Sequence, residues 1–83
     1  MQKELKGQIK DFIINTFLGG KGSIKEDESL FESGLIDSFG MLELVAFVQK
    51  KFGVSVKPSE VMIENFSCVN KIVQFIDKKQ KGS

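Results

Sequence analysis

The sequence predicts an all-α protein, a small four-helix bundle with a long loop between helices one and two and a short third helix. Two observations carry this. Apolar residues recur at three- and four-residue steps in separate stretches, as they do along one face of a helix. Glycine clusters and a single proline punctuate the gaps between those stretches. At 83 residues the chain is expected to form one domain, 1–83, with one modest core.

Helix one is predicted over residues 3–17. Leu5, Ile9, Phe12 and Ile13 form its stripe, Phe17 extends it, and Lys6, Lys10 and Asp11 lie largely off it. Gly19-Gly20-Lys21-Gly22 ends the helix, because three glycines in four positions lose too much backbone entropy inside one. A phosphate-binding P-loop would need Gly-Lys-Ser/Thr there, and Lys21 is followed by Gly22. The stretch 21–37 is long for a connection in a bundle, so its own apolar residues Ile24, Leu30, Phe31, Leu35 and Ile36 are expected to hold it down. Leu35-Ile36 would set the angle at which the chain approaches helix two.

Helix two is predicted over 38–52, with Met41, Leu42, Leu44, Val45, Val48 and Phe52 facing inward. Glu43, Ala46 and Lys50 then share the opposite face. Asp37 or Ser38 is the N-cap, since both residue types accept hydrogen bonds from first-turn N–H groups, and Gly34 allows the tight turn upstream. Gly53 closes the helix. Val54-Ser55-Val56-Lys57-Pro58 is a connector, too short and isolated for a sheet. Pro58 suits the first position of a third helix, 58–63, with Val61, Met62 and Ile63 covering the bundle. Ser67 is expected to cap a fourth helix over 68–79, whose inward stripe is Val69, Ile72, Val73 and Ile76, flanked by Phe75 and by Cys68 as a small buried hydrophobe.

The chain has 12 basic and 11 acidic residues, so no global charge draws it to nucleic acid. Locally, Glu26, Asp27, Glu28, Glu32 and Asp37 form an acidic run without a base, while Lys71, Lys78, Lys79 and Lys81 gather near the end. A solvated loop and a lysine-rich last turn account for both, and the acids leading to Ser38 would also attract basic partners. One cysteine and no histidine leave no internal disulfide and no metal site to expect. No stretch has the length of an apolar span, and Met1-Gln2-Lys3-Glu4-Leu5-Lys6 lacks a secretory core, so a soluble, cytoplasmic monomer is expected.

Chemistry concentrates at Ser38. An anionic group attached to a hydroxyl at a helix start sits at the positive end of the helix dipole, so the position suits a phosphoester. Without a histidine to act as base, Ser38 is not expected to be catalytic; it reads as a substrate for another enzyme.

The stretch Leu30, Phe31, Gly34, Leu35, Asp37, Ser38, Phe39 resembles the acyl and peptidyl carrier proteins. The likeness continues in Glu43, Leu44, Val45 and Phe52-Gly53, and again in Glu64-Asn65-Phe66-Ser67. The resemblance implies a bundle of the acyl-carrier type and a 4′-phosphopantetheine arm on Ser38, donated by coenzyme A through a phosphopantetheinyl transferase that Asp37 helps to engage. The arm's thiol would hold an acyl group as a thioester for partner enzymes of fatty-acid, polyketide or related biosynthesis. Phe39, Glu43, Ala46 and Lys50 become the expected docking residues, and Met41, Val45, Val61, Met62 and Ile63 the candidates for sheltering an acyl chain. Gly40 lowers stability by about 0.5–1 kcal/mol relative to alanine inside a helix, and is expected to leave room beside Ser38 for the arm or the transferase.

The chain departs from the fatty-acid type, whose second helix is strongly acidic. Residues 37–64 hold four acids (Asp37, Glu43, Glu60, Glu64) against three bases (Lys50, Lys51, Lys57). Leu35-Ile36-Asp37-Ser38-Phe39-Gly40 also looks like carriers loaded by an adenylating ligase, including D-alanyl carrier proteins. The expectation is an acyl carrier, with an aminoacyl or peptidyl carrier as the alternative and an unmodified helical adaptor behind both.

Overall fold

The computed structural model describes residues 2–81; Met1 and Gly82-Ser83 lie outside them. It is all-helical. Helix α1 spans Gln2–Phe17, α2 Ser38–Phe52, α3 Ile63–Phe66 and α4 Val69–Gln80, with a 3₁₀ turn at Pro58–Glu60. The expected all-α bundle with its long first loop and short third helix is thus the observed fold.

The core forms where the apolar stripes meet. Ile9 and Ile13 of α1, Leu44 and Val48 of α2, and Val69, Ile72, Val73 and Ile76 of α4 are buried, as their helical spacing requires. Residues α1 against α4 and α3 against α4 make the main helix contacts. Phe66 on α3 is fully buried with its ring centroid 5.4 Å from that of Phe75. Phe12 stacks on Phe47 at 4.0 Å and joins α1 to α2.

The loop 21–37 is fastened to α1 and to the start of α4. Leu30 is fully buried and donates its N–H to Ser67 O at 2.8 Å, while Asn70 donates its N–H to Glu26 O at 3.0 Å. The Glu26 carboxylate receives Lys6 Nζ at 2.9 Å and Lys10 Nζ at 3.4 Å from α1. Part of the acidic run is therefore structural, tying the loop to both α1 and the start of α4.

Three local expectations change. The predicted third helix at 58–63 is two pieces, because Met62 is extended (φ −143°, ψ 152°) and interrupts it. Asn65 stabilises the break by donating Nδ2 to Glu60 O and its N–H to Met62 O. Cys68, not Ser67, is the N-cap of α4; it is half-buried, with no side-chain cap bond, while Ser67 ends α3. Leu42, placed inward above, is 56 % exposed. At about 100° per residue it stands only some 60° from the outward Phe39, whereas Phe47, left out of the stripe, falls beside Gly40 and packs on the core.

Candidate functional site around Ser38

A tight turn brings the chain to Ser38. Leu30 and Ile36, both buried, bracket it, and Ile36 donates its N–H back to Leu30 O at 3.0 Å. Between them Gly34 adopts φ 80°, a region that side-chain-bearing residues rarely occupy, and donates its N–H to Phe31 O. Ser29 Oγ accepts the Glu32 N–H at 3.2 Å and closes the start of the turn.

Asp37 then caps α2. Its backbone is extended (φ −107°, ψ −168°), its carboxylate accepts the Gly40 N–H at 2.9 Å, and its carbonyl accepts the Met41 N–H at 2.9 Å. Of the two cap candidates it is Asp37, and Ser38 becomes the first helical residue. Ser38 is exposed, and among the described residues its hydroxyl has no hydrogen-bond partner. An open hydroxyl over the first-turn N–H groups fits a phosphoester, whose charge they would stabilise.

Gly40 has another role than the one expected. It is buried, and a Cβ there would lie 2.8 Å from Ile36 Cγ2 and 3.0 Å from Phe17 Cε1. The space beside it is filled by the protein's own side chains, so it holds no room for an arm or a transferase.

Phe39, Glu43, Ala46 and Lys50 form an exposed row down α2 from Ser38, with Phe39 77 % exposed and Leu42 alongside. The acyl-pocket candidates differ in burial: Val45 is buried in the core, Met41 and Val61 are half-buried, and Met62 and Ile63 stand exposed. None of them lines the three clefts described on the surface. Phe47 and Leu42 are the residues near the site that helical spacing alone passed over or assigned poorly.

A small helical bundle that presents an open serine at a helix start has the build of a protein that carries a group on that hydroxyl. The chain belongs to the phosphopantetheine attachment site family, whose model matches residues 13–76. It is a carrier protein, not an enzyme, and its prosthetic group is a covalently attached 4′-phosphopantetheine. It is 34 % identical over 74 residues to a D-alanyl carrier protein of Leuconostoc mesenteroides, covering 89 % of this chain and 94 % of the relative. A D-alanyl carrier protein of Streptococcus uberis is 36 % identical over 75 residues, covering 90 % and 94 %. One of Streptococcus equi subsp. zooepidemicus is 39 % identical over 54 residues, covering 65 % and 68 %.

Proposed function

We propose that Ser38 carries the phosphopantetheine arm and that the protein is an aminoacyl carrier of the D-alanyl type, loaded by an adenylating ligase. The observation that carries this is the exposed, unpartnered Ser38 hydroxyl one residue after the Asp37 cap. In the modification, Ser38 Oγ gives up its proton to the transferase and bonds to the phosphorus of coenzyme A's pantetheine half, and the nucleotide half leaves. When bound, the arm supplies a thiol that holds the cargo as an activated thioester.

The chain's own residues do the rest. Asp37 holds the first turn through the Gly40 N–H, so Ser38 is presented on a fixed helix end. Phe39, Glu43, Ala46 and Lys50, with Leu42, offer a mixed apolar and charged row on which the transferase and ligase dock.

The aminoacyl reading displaces the fatty-acyl one that the sequence put first. The names of the relatives support it, as does the near balance of charge over residues 37–64. An amino acid also needs no apolar shelter, which suits the finding that none of the five pocket candidates lines the three described clefts. The test is loading of the arm-bearing protein with ATP, D-alanine and a D-alanine-adenylating ligase, followed by intact mass. A hydroxylamine-labile gain of one alanyl group supports the reading. No gain with D-alanine, together with a gain when fatty acyl groups are offered by an acyl-loading ligase, would return the acyl carrier to first place.

A further inference from the structure

Gly40 is not a conformational glycine. Its φ lies in the ordinary helical region, since the residues with positive φ are Gly19, Gly20, Gly22, Gly34 and Gly53, and any residue could adopt its backbone. What excludes a side chain is space: Ile36 Cγ2 at 2.8 Å, and Phe17 Cε1 and Cζ at 3.0 and 3.3 Å from the place a Cβ would take. The first turn of α2 is therefore seated directly on the Phe17 ring, while the Asp37 carboxylate holds the same residue through its N–H.

The ring is itself braced. Phe17 meets Phe12 edge to face at 6.2 Å, Phe12 stacks on Phe47 at 4.0 Å, and Phe47 meets Phe52 edge to face at 5.9 Å. Four rings thus run from the end of α1 back along α2 itself. Closely packed aromatic contacts resist small displacements, so the row sets the height of the first turn relative to the rest of the helix.

We infer that Phe17 is a positioning residue for modification of Ser38: by occupying the space under Gly40 it sets where the Ser38 hydroxyl stands when the transferase engages it. The inference rests on Ser38 being the attachment site. A misplacement of reacting atoms by about 1 Å can lower a rate about a hundredfold, so a small lift of this turn is enough to be read kinetically.

The test measures kcat and KM for transfer from coenzyme A by a broad-specificity phosphopantetheinyl transferase. The full-length apo-proteins are wild type, Phe17→Leu, Gly40→Ala and the double variant, each corrected for its folded fraction by circular dichroism. Gly40→Ala is expected to lower kcat by about tenfold or more with little change in KM. Phe17→Leu lowers kcat in the wild-type background but raises it in the Gly40→Ala background, because loss of the ring removes the contacts at 3.0 and 3.3 Å and leaves only Ile36 Cγ2 for the added methyl to displace. That reversal of sign is what simple destabilisation would not produce. Wild-type kcat in Gly40→Ala, or a Phe17→Leu effect of the same sign in both backgrounds, would overturn the inference while leaving Ser38 as the attachment site. No turnover of wild type would overturn the Ser38 reading and this inference with it. Should Gly40→Ala fail to fold, Phe17→Leu alone decides: shifted Ser38 and Gly40 amide resonances with lowered kcat support the seat, and unmoved resonances with unchanged kcat overturn it.

Discussion

At the scale of single residues, the positions that depend on local chain chemistry are the ones the sequence exposes. Asp37 and Ser38 were legible as helix-start residues, and Gly34 and Gly53 as turn and closing glycines, because each answers to backbone groups within a few residues of itself. Gly40 was legible as an oddity but not in its cause, which lies in Ile36 and in Phe17 at the far end of α1. Replacing Asp37 with alanine removes the carboxylate that accepts the Gly40 N–H, and is expected to lower stability by about 0.5–2 kcal/mol in chemical denaturation. Gly53 at φ 67° donates its N–H to Gln49 O as the left-handed end of α2. Gly53→Ala is expected to lower stability by about 1 kcal/mol in the same experiment, since a Cβ is disfavoured in that conformation. An unchanged midpoint for either variant would mean that the helix end is held by other contacts.

At the scale of elements, α1, α2 and α4 could be read from their stripes, because a buried face imposes a period on the sequence that carries it. The segment after Pro58 could not. Val61, Met62 and Ile63 are apolar in succession and carry no helical period, and what divides the segment is the bonding of Asn65 to Glu60 and Met62 together with the burial of Phe66. The fastening of loop 21–37 was equally hidden, since Lys6 and Lys10 reach Glu26 across more than a dozen residues. That fastening titrates. The hydrogen bond from Lys6 is the chief cause that holds the Glu26 carboxyl below its ordinary value of 4.5, followed by the charge of Lys6; desolvation opposes them, and the Lys10 bond and charge add to the lowering. Lys79, 2.7 Å from Glu60, does the same for Glu60. A carboxyl lowered on folding contributes stability that is present above its unfolded value and lost as pH falls through its folded one. Stability from these two groups is therefore expected to be level near neutrality and to fall below about pH 4.5. In a pH series of thermal melts Glu26→Gln should lose part of that acid dependence. Added salt should weaken the difference between the two proteins, because both partners are partly exposed. Parallel acid profiles for wild type and Glu26→Gln would remove the Glu26 carboxylate from the fastening and leave its backbone bond to Asn70.

At the scale of the whole molecule, the bundle works as a stand for one hydroxyl. The stripes of α1, α2 and α4 close an apolar core, the fastened loop leads the chain into α2, and Ser38 is left facing solvent at the start of the helix that carries the exposed row. The family and the carrier role were legible from Leu30 through Phe39 and agree with the match over residues 13–76. The cargo was not, because partner enzymes select it; the names of the relatives support the aminoacyl carrier proposed above over the fatty-acyl one that the sequence put first. Docking belongs to this scale as well. Charge reversal at the two charged positions of the row, Glu43→Lys with Lys50→Glu, is expected to raise the ligase's KM for the carrier severalfold while leaving thermal stability within about 0.5 kcal/mol, as surface changes do. An unchanged KM would place the ligase on another face. The central claim is that Ser38 carries the arm, and intact mass tests it most directly, after incubation of wild type and Ser38→Ala with coenzyme A and a phosphopantetheinyl transferase. The expected result is a gain of one phosphopantetheine in wild type and none in a Ser38→Ala protein that keeps its helical spectrum; an equal gain in both, or none in folded wild type, would contradict it.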